Sequence, residues 1–323
     1  MSQVERYEYT APSMGTILKI AVYAENEQRA QEAIDAGLAE IDRLMPILNN
    51  YDPGSEISRL VSHVNDPVRL SPDLSAVLRH AERWHQRSEG AFDITVGPLT
   101  RVWSQARRDR TPPNPSSLDA ARSRSGWQHV RWLERASSER DVATVELLLD
   151  EMRIDVSGIA TGYIIDRTFE AIRQRGIESL LIDVGGDIRI GRAPPGAPGW
   201  RISIAGLGKD SPLLAQRMLE DCAITTSGDL NQFVEIDGVR YSHLIDPRTG
   251  QPLTHRQSVT AIASNAIDAD AGATALCVLG MERSTHLFGE LPLLEGILLE
   301  LGMEDALLPA LRYRHLIRDR NAP

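Results

Sequence analysis

Residues Thr16 to Ala24 alternate apolar and polar positions and are rich in β-branched side chains, the two-residue period of a strand with one buried face. From Asn26 to Leu48 the period changes. Ala30, Ala33, Ile34, Gly37, Leu38, Ile41, Leu44, Met45 and Leu48 recur at helical spacing over about six turns, and Asn26 stands where an N-cap belongs. The helix is predicted to end near Asn49–Asn50, because Tyr51-Asp52-Pro53-Gly54 has the chemistry of a turn. A short helix is predicted from Ser55 to Leu60. Another opens at Ser71-Pro72, a cap followed by proline at the first helical position, and runs to about Glu89.

Thr111 to Ser117 reads as a Pro-rich loop, and Trp127 to Val156 as short strands joined by a polar turn. Ile159 to Arg175 is predicted helical, stopped by Gly176. Leu180 to Val184 is a buried strand running into Gly185-Gly186. A Pro/Gly turn spans Ala193 to Gly199, and further strands follow as far as Ala263. The last predicted helix runs from Ala266 to Leu279, with Gly280 as its C′ residue. No internal repeat occurs. Long helices early, antiparallel-looking strands in the middle and helices between them predict an α+β fold.

Composition narrows the function. Of 323 residues, 42% are hydrophobic and 25% charged, so the chain can build one large or two ordinary cores. The net charge of -10 and the lack of a Lys/Arg stripe argue against a nucleic-acid surface. Arg107-Arg108-Asp109-Arg110 is interrupted by an acid and precedes the Pro-rich loop, so it reads as a solvated loop. Lys19 and Lys209 are the only lysines and no P-loop occurs. A phosphate would therefore be met by backbone N–H groups, arginine or a metal. Cys222 and Cys277 have no metal or disulfide spacing, and Cys277 reads as a core residue. MSQVERYEYTAPSMGT has no apolar signal region, and no run of about 18 apolar residues occurs. These features predict a cytoplasmic protein without membrane insertion.

Glycine and small polar residues cluster at five strand ends or helix starts: Met14-Gly15-Thr16, Gly90 to Leu99, Ser157 to Asp166, Asp183 to Asp187 and Thr225 to Asp229. Such junctions point N–H groups outward and suit an anion, although each alone is equally a tight turn. No GxGxxG opens a βαβ unit, which removes a Rossmann reading. Asp270 and Thr274 lie one turn apart on one helix face, a carboxylate and a hydroxyl suited to Mg2+. Asp270 read blandly is a first-turn acid favoured by the helix dipole, and Asp268 a capping residue. His243-Leu244-Ile245-Asp246-Pro247-Arg248-Thr249-Gly250 could supply a base and a phosphate clamp, or be a capped hairpin turn with a surface histidine. The other seven histidines lie in ordinary contexts and are assigned no role.

These pieces resemble the ApbE family, the FAD:protein FMN transferases, over nearly the whole chain. In family order they are SMGT (Ser13 to Thr16), YDPGSEISRL (Tyr51 to Leu60), GAFDITVGPL (Gly90 to Leu99) with Trp103 after it, GIATGYIIDR (Gly158 to Arg167) and IDVGGDIRIGR (Ile182 to Arg192). TTSGD (Thr225 to Asp229), HLIDPRTGQPL (His243 to Leu253) and DADAGATALCVLG (Asp268 to Gly280) complete the series. One such piece is weak, but eight in order are highly specific.

The resemblance implies a two-lobed α+β domain over residues 5–315, with a tail at 316–323, mixed or antiparallel sheets flanked by helices, and FAD in the cleft between lobes. It implies Mg2+ held by Asp270, the Thr274 hydroxyl and the Ala160 carbonyl, with His243 and Asp270 as catalytic residues. Arg248 with Thr226, Ser227 and Gly228 would orient phosphates. Met14, Tyr51, Ser55 and Glu56 would line the flavin or adenine ends, with Asp183, Gly185, Gly186 and Asp187 nearby. The implied reaction moves FMN from FAD to a Thr or Ser hydroxyl of an acceptor flavoprotein and releases AMP. An FAD pyrophosphatase and a flavin-binding carrier are the alternatives. The chain departs from the family pattern at Thr161, where lysine is frequent, at Ser157, where glycine is, and at Leu230, where an aromatic residue is.

Overall fold

The computed structural model describes residues 4–134, 142–207, 213–229, 232–301 and 311–318; Lys209, Leu230 and residues 319–323 of the expected tail lie outside them. An eight-stranded sheet forms the centre. Its spatial order is β1 (Glu5–Ser13), β2 (Thr16–Ala24), β6 (Leu180–Val184), β7 (Asp187–Ile190), β10 (Cys222–Gly228), β15 (Gln257–Ala263), β16 (Glu295–Leu301) and β17 (Leu311–Ile317). Every pairing in it is antiparallel.

Among the described residues seven α-helices accompany the sheet: α1 (Glu27–Leu48), α2 (Glu56–Leu60), α3 (Pro72–Arg87), α4 (Gly97–Asp109), α5 (Pro115–Ser123), α6 (Ala160–Arg173) and α7 (Ala266–Leu287). The smaller sheets are β3 (Val68–Arg69), β5 (Thr144–Leu147) and β4 (Val130–Glu134), then β8 (Trp200–Ile204) with β9 (Ala215–Leu219). Two hairpins remain, β11 (Phe233–Ile236) with β12 (Val239–Ser242) and β13 (Ile245–Asp246) with β14 (Gln251–Pro252). This is the α+β architecture that the element order predicts. No described helix is long and apolar enough to cross a membrane.

Strand alternation builds two cores. Leu18, Ile20 and Val22 of β2 join Val259, Ala261 and Ala263 of β15 beneath the helices. Burial of each large aliphatic side chain contributes about 1.5–3 kcal/mol. The opposite parity, Ala21, Ile190, Ile224 and Ile262, packs under Trp200, Ile202 and Ile204 of the β8–β9 hairpin. With both faces covered, all seven residues of β15 are buried.

The predicted caps Asn26 and Ser71 accept from the amides of Arg29 and Leu74. Ser55 is the cap of α2 rather than its first residue, accepting from the Ser58 amide. Gly37 lets α1 approach α6, since a Cβ there would lie 2.9 Å from Ile172. At Gly280 the chain turns to φ 69°, and helix resumes beyond it to Leu287. The sequence places the stop but not the resumption.

Two segments differ from expectation. The Arg107–Arg110 stretch is not loop: α4 continues through Asp109 and Arg110 takes a left-handed C-cap. The Pro-rich stretch contains the start of α5, with Asn114 as cap and Pro115 at the first position. In both places a helix packs its apolar side on a third cluster, Leu99, Trp103, Ala106, Ala121 and Ile245. That stripe is short and is interrupted by arginines in the sequence.

Candidate active site

A cavity of about 620 Å3 opens between α4, the end of β10 and the face of α7, within the ~300–1,000 Å3 range of small-molecule sites. Asp270 and Thr274 come from α7, and Thr225, Thr226, Ser227 and Gly228 from β10. Gly185 and Asp187 come from the β6–β7 hairpin, and His243 from the residue after β12. Tyr51 lines it too and is 85% exposed.

Local structure explains each placement. Asn265 caps α7 by accepting from the Asp268 amide at 2.9 Å. Asp268 is therefore not the cap, and its carboxylate accepts from Trp84 Nε1 at 2.9 Å instead. Asp270 lies a half-turn further on, turned inward and 6% exposed. Its Oδ2 accepts from the Gly162 amide of α6 at 3.0 Å. Thr274 sits one turn on, with its hydroxyl 3.4 Å from Ser227 Oγ. The hairpin turn between Val184 and Asp187 needs positive φ at both central residues, met by Gly185 (63°) and Gly186 (105°).

Two carboxylates, Asp187 and Asp270, line this part of the cavity. Burial first, and then the nearby Asp187, push Asp270 well above the carboxylate range. Burial likewise raises Asp187. A pair of raised carboxylates beside the Thr274 and Ser227 hydroxyls is a hard-oxygen donor set that a divalent cation would neutralise. Mg2+ fits these residues. Among the described residues no cluster of three or more His, Cys, Asp or Glu side chains forms, so a metal here would also need hydroxyl, carbonyl or substrate oxygens. Ala160 opens α6 two residues before Gly162 and does not line the cavity.

His243 has a defined tautomer. Its Nδ1 lies 3.2 Å from the Gln232 carbonyl, which can only accept, so Nδ1 carries the proton and Nε2 keeps its lone pair. Burial, with Arg107 adding to it, lowers its pKa below the ordinary histidine value. The ring is thus neutral at neutral pH and ready to take a proton.

Several expected residues stand apart. Ser55 is the buried cap of α2, and Glu56 accepts from the Ser71 amide at 2.7 Å, tying α2 to the start of α3. Asp183 accepts from the Gly186 amide at 2.9 Å and steadies the turn. Met14 has φ 49° in the β1–β2 turn. Arg248 folds back on Asp246 through Nε and Nη2, both at 2.8 Å. None of these five lines the cavity, nor does Gly186.

The cavity also contains residues given no role there from the sequence: Asn50, Asp93 of the Gly90–Leu99 cluster, Ser104, Arg107 of the expected solvated loop, Asp155 and Gln232. Asn50 Nδ2 donates to Asp155 Oδ1 at 3.1 Å, and Ser157 Oγ to the same oxygen at 2.6 Å. A signal existed for Asp155, two residues before the Ser157 cluster, but none for Gln232.

The sequence profile of the ApbE family matches residues 14–298. The chain belongs to the ApbE family. It is 35% identical over 295 residues to the FAD:protein FMN transferase of Vibrio cholerae, covering 86% of this chain and 83% of that protein. It is 32% identical over 283 residues to the protein of the same name from Salmonella typhimurium, covering 85% and 79%. On these relatives it is an enzyme. Among solved ApbE structures, the flavin transferase from Vibrio cholerae superposes with a TM-score of 0.79 at 30% identity over 98% of each chain. The apo Pseudomonas stutzeri flavinyl transferase has the same fold, with a TM-score of 0.81 at 24% identity, covering 98% of this chain and 95% of that one.

Proposed function

We propose that this ApbE protein transfers FMN from FAD to a Thr or Ser hydroxyl of an acceptor protein, with Mg2+ bound and AMP as the leaving group. The names of its relatives support the coarse reaction. The observation that carries the chemistry is His243: with Nδ1 committed to the Gln232 carbonyl, Nε2 is left free in the same cavity as Asp270 and Thr274.

Asp270, Thr274 and the Ala160 carbonyl would hold the metal. Bound there, Mg2+ supplies positive charge against the pyrophosphate oxygens. His243 Nε2 takes the proton of the acceptor hydroxyl as its oxygen bonds to the FMN-side phosphorus, and the bond from that phosphorus to the AMP oxygen breaks. Tyr51 offers an aromatic face to a flat ring at the mouth. The Gly162 amide and the α7 scaffold keep Asp270 in place.

Incubation with FAD, Mg2+ and a protein bearing a Thr-containing flavinylation segment tests this, read by intact mass and AMP release. A gain equal to one FMN phosphoester, lost in EDTA, is expected. AMP without a mass gain on an acceptor that a known transferase modifies would make the protein an FAD pyrophosphatase. Bound FAD with no AMP would make it a carrier.

A further inference from the structure

Among the described residues, the cavity lining has four carboxylates, Asp93, Asp155, Asp187 and Asp270, and a single Lys or Arg side chain, Arg107. Its orientation is forced. Leu99, Trp103 and Ala106 form the buried side of α4, and Trp103 Nε1 donates to the Gly250 carbonyl at 2.9 Å, fixing the helix rotation. Thr100, Ser104 and Arg107 follow at i, i+4 and i+7 and therefore share the side that faces the cavity.

Among the described residues the guanidinium has one hydrogen-bond partner, the Ser104 hydroxyl, 2.9 Å from Nη2. Five N–H donors are available in such a group, so most of its capacity is unspent. Four other partly buried arginines are occupied: Arg43 on Asp73, Arg189 on Asp166, Arg240 on Asp229 and Arg248 on Asp246. Arg79 also has unpartnered guanidinium nitrogens but does not line the cavity. Arg107 has no ion pair with a described acid, although burial, with Arg108 adding to it, disfavours its charge. It also acts electrostatically on His243, which lines the same cavity.

We infer that Arg107 is a substrate-positioning residue that binds the pyrophosphate of FAD in the cavity it shares with His243 and the proposed metal ligands. This rests on the functional reading above. An anion of two charges entering among four aspartates needs cations on more than one side, and a planar fork suits phosphate oxygens. The half-buried position favours an anion lodged in the cavity over one held at its mouth.

The test compares the full chain with Arg107→Gln and Arg107→Lys for binding of FAD, ADP and riboflavin in Mg2+. ADP carries the pyrophosphate without the flavin, and riboflavin the flavin without phosphate. Arg107→Gln is expected to weaken FAD and ADP by about tenfold to a hundredfold, as for a lost charge-assisted contact, and to leave riboflavin unchanged. Arg107→Lys should recover part of the loss, and its melting curve checks the fold. Equal weakening of riboflavin would overturn the assignment. So would unchanged FAD and ADP binding with only the KM for the acceptor raised. A wild-type chain that binds ADP but not FAD would sink the functional reading itself, a result distinct from either.

Discussion

The amide of Gly162, in the first turn of α6, donates to Asp270 Oδ2 of α7 across 3.0 Å, joining the two helix starts that frame the proposed metal site. A side chain cannot be added at this contact. A Cβ on Gly162 would lie 2.4 Å from the Ala266 carbonyl oxygen. Gly162→Ala should therefore push α6 from α7 and cost about 1–3 kcal/mol, the range for overpacking, read by urea unfolding. Mg2+-dependent turnover should fall with it. A fully stable and active variant would show that the helix starts can separate freely.

Asp270→Asn keeps an oxygen for the Gly162 amide but removes the charge. Transfer should drop on the order of a hundredfold or more, since metal charge stabilisation is worth several kcal/mol. The metal-free variant should melt higher than the metal-free parent, because a buried carboxylate that burial and the Asp187 charge both disfavour is gone. An unchanged Mg2+ dependence would remove Asp270 from the metal site.

The lowered pKa of His243 sets the acid limb of the rate profile. A base must be neutral to work, so kcat/KM should be full at pH 7 and fall only below the ordinary histidine value of about 6.5. His243→Gln should slow transfer by about 10²–10⁴-fold and erase that limb, with FAD affinity kept. An equal loss of FAD affinity would make His243 a binding residue.

Asp166 secures the start of α7 from α6, accepting from the Ala266 and Ile267 amides at 2.8 and 2.9 Å. Asp166→Ala orphans both amides and should cost about 1–3 kcal/mol or more in denaturant unfolding. Burial raises its own pKa to about 6. A raised acid contributes stability that is complete below its unfolded value near 4 and is lost as pH rises through about 6. That slope should vanish in Asp166→Asn, and its persistence there would assign it to another group.

Much of the fold was legible because local signals agree with the tertiary arrangement. The alternation of Thr16 to Ala24 and the Asn26, Ser71 and Gly280 signals each describe a backbone that is stable for local reasons. Helix α4 was not legible, because its apolar stripe of Leu99, Trp103 and Ala106 is short and lies among arginines. Asp270 and Thr274 were legible as a pair since helix spacing alone puts them on one face.

By itself, then, the sequence determined the helix and strand periods, their caps and the family motifs, all properties of residues near one another in the chain. Only the tertiary structure decided which polar groups share one cavity. It brought Asp187 beside Asp270, set the Gln232 carbonyl against His243, folded Arg248 onto Asp246 and turned Arg107 inward. The reason is physical: hydrogen bonds and charge pairs act over a few ångströms, and residues far apart in sequence come within that range only when the sheet and helices pack.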